Sequence, residues 1–169
     1  MEKFLDKLSS YHLLNNLLPG AVFCFLMNIY WDRNILSSNI IENIFIYYFI
    51  GIVISRVGSI IIEPICKKCN WVSYADYNQY ISASKKDSKL DTLLETNNLF
   101  RTMFAMCLML LVGKLYIHIC LTVKVIGALE KEIILLGLLL LFAFSYRKQT
   151  RYIKKRTEKI ERGNENELS

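Results

Sequence analysis

The sequence predicts an all-α integral membrane protein, and three observations lead to this prediction. Of the 169 residues, 53% are hydrophobic, and the mean hydropathy is +0.29. Several long stretches are apolar all round, whereas a helix on the surface of a soluble protein keeps a polar face. The chain has only 7 glycines and 2 prolines, which favours long helices. We expect an amphipathic N-terminal helix, about four transmembrane helices, a cytoplasmic helical segment and a basic C-terminal helix.

Residues 1–18 have the pattern of an amphipathic helix. Phe4, Leu5 and Leu8 recur at helical spacing, with charged residues opposite them. Such a helix lies in the membrane interface, or it packs as a soluble helix on a neighbouring subunit. Pro19-Gly20 then predicts a bend in the chain.

The first and second membrane spans are predicted within residues 19–66. Counted from Leu13 through the bend to Trp31, the first stretch reaches the roughly 20 residues that a spanning helix needs. The second runs from Ile40 to Ile65, and an α-helix from Glu42 to Glu63 would rise about 33 Å. Three small residues lie four apart on one face of this helix, where a second helix can approach closely: Gly51, Ser55 and Ser59.

Arg56 lies inside the second apolar stretch, where a charged side chain is costly and marks a candidate functional site. Glu63 is about 10 Å further along the same helix, which is too far for a direct ion pair. Either Arg56 lines a water-filled path or an oligomer axis, or it pairs with Glu63 of a neighbouring subunit or with backbone carbonyls. The full set of candidates for a pore lining or an oligomer interface is Asn15, Asn16, Asn28, Gly51, Ser55, Arg56, Ser59 and Glu63.

The second half of the chain alternates between polar and apolar segments. Residues 67–100 are predicted to form two soluble helices on the cytoplasmic side. Residues 101–146 contain the third span, Thr102 to Leu121, and a fourth that is short, Ile133 to Tyr146. Residues 147–169 form a basic cytoplasmic tail. Its candidate contacts with lipid or a partner are Arg147, Lys148, Arg151, Lys154, Lys155 and Arg156.

Lysine and arginine are distributed unevenly about these four spans. The side with both termini and residues 67–100 carries most of the basic residues, whereas the other side holds only Arg33, Lys124 and Lys131. Because basic residues stay on the cytoplasmic side of a membrane, both termini are predicted to be cytoplasmic.

Two further groups of residues allow more than one interpretation. Lys114 and His118 share a helix face; they form a proton relay if an acidic side chain lies at the same depth, and otherwise extend to the headgroups. Cys66-x-x-Cys69 is a pattern used for metal or redox chemistry, but a zinc site needs four ligands and no second C-x-x-C is present. We expect two separate thiols there. Nucleotide-binding and hydrolase motifs are absent from the sequence, so we predict no enzyme and no cofactor or metal.

Four segments resemble a group of small bacterial membrane proteins encoded beside anti-phage systems, in particular the membrane accessory protein of the Cas13b (type VI-B) CRISPR systems. They are SSYHLLNNLLPG (9–20), SRVGS (55–59), YADYNQY with LLETNNLFR (74–101) and YRKQTRYIKKR (146–156). The resemblance implies a homo-oligomeric pore in the bacterial inner membrane, which strengthens defence when phage RNA is sensed. It also implies the lipid bilayer and an RNA-guided nuclease or its RNA as partners.

That family is also linked with an R-x4-H motif of the HEPN type, the pattern of metal-independent ribonucleases. The matching place in this chain is RYIKKR, from Arg151 to Arg156, where arginine replaces the histidine. A general acid or base that works near neutral pH is therefore missing. Three functions remain open from the sequence. They are a pore or membrane-perturbing effector, an anchor that recruits a cytoplasmic partner, and an enzyme that uses the tail or Cys66 and Cys69.

Overall fold

The protein is described by a computed structural model, which covers the backbone of residues 2–84 and 86–167 and the side chains of residues 15–158 apart from 78, 85 and 124. These residues form helices joined by short loops, with no strand among them. The helices are α1 (Glu2–Trp31), α2 (Ile40–Val57), α3 (Glu63–Lys68), α4 (Tyr77–Ser84), α5 (Lys89–Thr122), α6 (Lys124–Ala128) and α7 (Glu130–Glu167).

The chain divides into two compact units, Met1–Leu129 and Glu130–Ser169. In the first unit, α1, α2 and α5 pack around a common apolar core. Its buried members are Phe23, Met27, Ile54, Ile62, Cys66, Ala105, Met106 and Leu110. In the second unit, all the described residues belong to α7.

A five-residue π-helical segment, Gly58–Ile62, joins α2 to α3 without a break. The three pieces together form one apolar helix, Ile40–Lys68. Asn39 caps its first turn, because the Asn39 side chain accepts a hydrogen bond of 2.9 Å from the backbone N–H of Ile41. Asn70 ends the helix with a left-handed φ of 55°, and the Trp71 N–H donates back to the Cys66 carbonyl at 2.9 Å.

The backbones of α1 and α2 touch where two glycines cross. A Cβ atom added to Gly20 would collide with the carbonyl oxygen of Tyr47, and one added to Gly51 would collide with that of Asn16. Since Asn16 lies against Gly51 and Gly20 against Tyr47, the two helices run antiparallel. The prediction that the small-residue face of the second span receives another helix is confirmed at Gly51, and that helix is α1 of the same chain.

Three boundaries expected from the sequence fall inside continuous helices. α1 passes through Pro19 and Gly20, so the predicted bend does not divide residues 1–18 from 19–31. The proposed interfacial face of residues 1–18 depends on side chains such as Phe4 that lie outside the described residues. α5 continues through residue 101 and α7 through residue 147. A change from polar to apolar side chains leaves the backbone hydrogen bonds of a helix intact, so it does not end the helix.

Within the described residues, three helices are long and apolar enough to cross a membrane: Ile40–Lys68, Lys89–Thr122 and Glu130–Glu158. Their apolar surface is mostly exposed, and only 6% of the apolar window in the last one is buried. A soluble protein would bury such surface. By length and composition, the protein therefore has three helices that could cross a membrane, whereas a fourth span in α1 stays a prediction.

The glycine crossing gives a direct test of the fold. We expect Gly51→Ala to lower the free energy of unfolding in detergent by about 2 kcal/mol or more, because the new methyl group overpacks a backbone contact. Denaturant titration followed by far-UV circular dichroism measures this change.

Gly137→Ala in α7 is the matched control, since a Cβ there meets nothing within 4 Å. It should be neutral or slightly stabilising, because alanine has the higher helix propensity. Equal stability of the two variants would contradict the close crossing.

Candidate functional site

The carboxylate of Glu63 is buried at one end of the three-helix core and is bound by two cations. Glu63 Oε1 accepts from Lys67 Nζ at 2.7 Å, and Glu63 Oε2 accepts from Arg101 Nη1 at 2.7 Å. The Glu63 side chain is only 8% exposed. A buried carboxylate needs such compensation, because removing a charge from water costs several kcal/mol.

Local structure brings these three residues together. Glu63 begins α3 and Lys67 follows one turn later on the same face. Gly58 lets α5 come close, since a Cβ on Gly58 would lie 3.3 Å from Ala105 Cβ and 3.4 Å from the Arg101 carbonyl oxygen. Arg101 thereby extends its side chain to Glu63. We call Glu63, Lys67 and Arg101 the ion triad.

The ion triad changes the interpretation of Glu63. The sequence suggested Glu63 as a pore-lining residue or as the partner of Arg56 in a neighbouring subunit. In the structure its two oxygens bind cations of the same chain. The sequence did not identify Arg101 as the partner of Glu63. The available signal was that both residues are charged and lie at the edges of apolar stretches.

The opposite end of the core is closed by Trp31, the last residue of α1. Its indole Nε1 donates to the Leu110 carbonyl at 3.0 Å, and its ring lies where a side chain on Gly113 would be. Lys114 Nζ donates to the Tyr30 carbonyl at 2.7 Å and so caps the C-terminus of α1. Lys114 thus has a structural role that the sequence did not predict.

Arg56 lies on the outer face of α2, directed away from the core. Counting 100° per residue, its direction is within about 20° of Phe45 and of Phe49, and Phe45 is 71% exposed. Gly51 and Ile54 occupy the opposite, buried face. The Arg56 side chain is itself exposed, and no described carboxylate forms an ion pair with it.

The other candidates from the sequence occupy different environments. Asn28 is exposed on α1, whereas Asn15 and Asn16 are half-buried. Ser55 and Ser59 are half-buried near the core side of the Ile40–Lys68 helix. Of the eight candidates from the sequence, only Arg56 and Asn28 therefore have exposed side chains.

The two cysteines of the C-x-x-C pattern have different surroundings. Cys66 is buried in the core, whereas Cys69 is exposed. Among the described side chains, no group of three histidine, cysteine or acidic residues is arranged to hold a metal ion.

An open groove of about 520 Å³ lies between the loop after α3 and the first part of α5. It is lined by Val72, Ser73, Tyr74, Ala75, Tyr80, Leu90, Leu93, Leu94 and Asn97. The Tyr80 hydroxyl donates to Asp91 Oδ1 at 3.0 Å. Partial burial, followed by this hydrogen bond and the negative charges of Asp91 and Glu95, raises the pKa of Tyr80. Tyr80 is accordingly a neutral hydroxyl at physiological pH.

The basic residues of α7 lie mainly on one side of the helix. Five of them fall within an arc of about 120° when 100° is counted per residue: Arg147, Lys148, Arg151, Lys154 and Lys155. Arg156 lies outside this arc, which we call the basic arc. Lys148 Nζ lies 5.8 Å from the centre of the Tyr152 ring, and Lys154 forms an exposed ion pair of 3.7 Å with Glu158.

Comparison with known proteins gave no match to this chain among family models, curated proteins or solved structures. The resemblance to the membrane accessory proteins of anti-phage systems therefore stays a prediction from the sequence.

The ion triad can be tested by its effect on stability. We expect Glu63→Gln to lower the free energy of unfolding by about 3 kcal/mol, because Arg101 would keep a partly buried charge without its counterion. Denaturation in detergent micelles measures the change. Glu158→Gln removes a carboxylate from an exposed pair and should change stability by less than about 1 kcal/mol. Equal effects of the two variants would show that the triad does not hold α3 to α5.

Proposed function

We propose that this protein is a homo-oligomeric pore, or membrane-perturbing effector, of the bacterial inner membrane that acts in anti-phage defence. It would have four membrane spans and both termini in the cytoplasm. Its function in this proposal is to let solutes cross the bilayer, without catalysis and without a cofactor.

The fourth span in this proposal is the second half of α1. Phe23 and Met27 lie in the same core as Ile54 of α2 and Leu110 of α5. A helix packed along two apolar helices shares their surroundings, so these contacts support a span from residue 13 to Trp31. Trp31 and Tyr30 would then occupy the interface, where aromatic residues are enriched.

Arg56 is the observation that carries the proposal. Its exposed side chain lies about 10 Å along the helix axis from Glu63, deep within the apolar stretch. A charged residue facing lipid at the centre of a bilayer costs about 3 kcal/mol on insertion scales. Covering Arg56 with a second copy, or with water along a path between copies, removes this cost.

The role in defence rests on the resemblance alone. In the sequence analysis, the segments SRVGS and YRKQTRYIKKR resemble those of the accessory proteins of the type VI-B CRISPR systems. In this proposal the sensing of phage RNA by a partner nuclease opens the pore, and the loss of membrane integrity strengthens the defence.

The first test is ion leakage from liposomes that contain only this protein. We expect the wild-type chain to dissipate a potassium diffusion potential, and Arg56→Leu to reduce the rate far more than it reduces the amount of inserted, folded protein. Lys86→Gln is a control that removes an exposed positive charge from the loop between α4 and α5. Parallel loss of leakage and of folded protein in Arg56→Leu would support a structural role instead.

The second candidate function is a membrane anchor that recruits a cytoplasmic partner, and the basic arc favours it. α7 is one helix from Glu130 to Glu167, so the arc continues directly from the apolar stretch that precedes it. A straight continuation of a spanning helix leaves the membrane surface, where it meets anionic groups of a partner more readily than lipid headgroups.

A truncation tests the tail, and the leakage of the full-length chain separates the two candidates. If the protein is an anchor, deleting residues 147–169 should abolish defence in cells while leaving liposome leakage unchanged. If it is a pore whose trigger acts through the tail, the same deletion should abolish defence, and the leakage of the full-length chain should rise when its partner nuclease and target RNA are added. Plaque assays and the liposome assay together measure these outcomes.

A further inference from the structure

We propose that the pore conducts anions in preference to cations and that Arg56 is the residue that selects them. This inference rests on the pore proposed above, and it names the class of solute that crosses. It follows from which charged residues occur in the apolar stretches, and from which of them are buried and which are exposed in the structure.

Few charged residues occur within the four apolar stretches, 19–31, 40–65, 102–121 and 133–146. The carboxylates are Glu42 and Glu63, and the basic residues are Arg56 and Lys114. Glu42 lies in the first turn of α2, about 21 Å along the axis from Arg56. Glu42 therefore lies at the mouth of the span. Glu63 is the carboxylate of that helix that lies closer to Arg56 along the axis.

Glu63 contributes no negative charge to a water-filled path. Its side chain is buried, and its oxygens bind Lys67 and Arg101. The ion triad as a whole carries one positive charge, so its field also favours anions. Lys114 adds a second positive group, and its amine lies 2.7 Å from the Tyr30 carbonyl.

Arg56 is the charge in the best position to meet a permeating ion. It is exposed on the outer face of α2, on the same side as Phe45. When this face turns towards a shared axis, the copies place a ring of guanidinium groups around the path. Rings of arginine or lysine are the usual selectivity element of anion pores, and apolar residues beside them form constrictions that gate by dewetting.

The expected preference is large enough to measure. An ion about 5 Å from a single guanidinium group in a water-like dielectric has its local concentration changed about fourfold, upward for an anion and downward for a cation. The two effects multiply, so one arginine gives a preference of about sixteenfold and a ring gives more. An arginine keeps its charge throughout the physiological pH range.

The experiment measures the reversal potential of the reconstituted protein in a gradient of potassium chloride. We expect the chloride permeability of the wild-type chain to exceed its potassium permeability by about tenfold or more. Arg56→Lys should keep this preference, Arg56→Gln should lower the ratio by about tenfold, and Lys86→Gln should leave it unchanged. Lys86 is exposed in the loop between α4 and α5 and serves as the control for loss of one positive charge.

Chemical modification of an already assembled variant separates the effect of the charge at position 56 from any effect on folding. Arg56→Cys is introduced into a chain in which Cys69 and Cys107, both exposed, are replaced by serine. After assembly, a cationic methanethiosulfonate reagent should restore the anion preference, and an anionic one should reverse it. The same assembled protein thus carries either charge at position 56.

The outcomes separate this inference from the pore itself. Ion flux with equal permeability for both ions, or with a preference that survives Arg56→Gln and both reagents, would overturn the assignment to Arg56 and leave the pore standing. A complete lack of flux, including in the presence of the partner nuclease and its target RNA, would overturn the pore and this inference together.

Discussion

The ion triad of Glu63, Lys67 and Arg101 fixes how the long apolar helices meet. Glu63 is buried, so its charge is tolerated only because Arg101 and Lys67 bind it. Since Arg101 belongs to α5, the pair sets the register between the Ile40–Lys68 helix and α5. The close approach of Gly58 to Ala105 belongs to the same contact between these two helices.

Arg56 lies beyond the reach of the triad. Glu63 is seven residues away, about 10 Å along the helix axis, and its carboxylate binds Lys67 and Arg101. Arg56 is exposed on the opposite face from Gly51 and Ile54. An exposed arginine that forms no ion pair with any described carboxylate, within an apolar helix, is the reason for proposing a second copy and a water-filled path beside it. Glu63, the carboxylate closest to Arg56 along this helix, is bound to Lys67 and Arg101, and this gives the path its proposed preference for anions.

The two ends of the first unit are held by polar contacts of different kinds. At one end the ion triad joins α3 to α5, and at the other Trp31 and Lys114 join α1 to α5 through backbone carbonyls. Between these ends the packing is apolar and the backbones approach at Gly20 and Gly51. Small residues allow this approach, and in a bilayer close packing is the main force between helices because lipid and side chains are equally apolar.

The sequence by itself determined the helical class, the positions of the apolar stretches and the location of Arg56 and the basic tail. These features depend on composition and on periodicity along one helix, which are properties of neighbouring residues. Only the tertiary structure decided that Gly51 packs on α1 of its own chain, that Glu63 binds Arg101, and that α1, α5 and α7 pass unbroken through expected boundaries. Contacts between residues as far apart as Glu63 and Arg101 depend on how helices rotate and slide against each other, and hydropathy carries no information about that rotation.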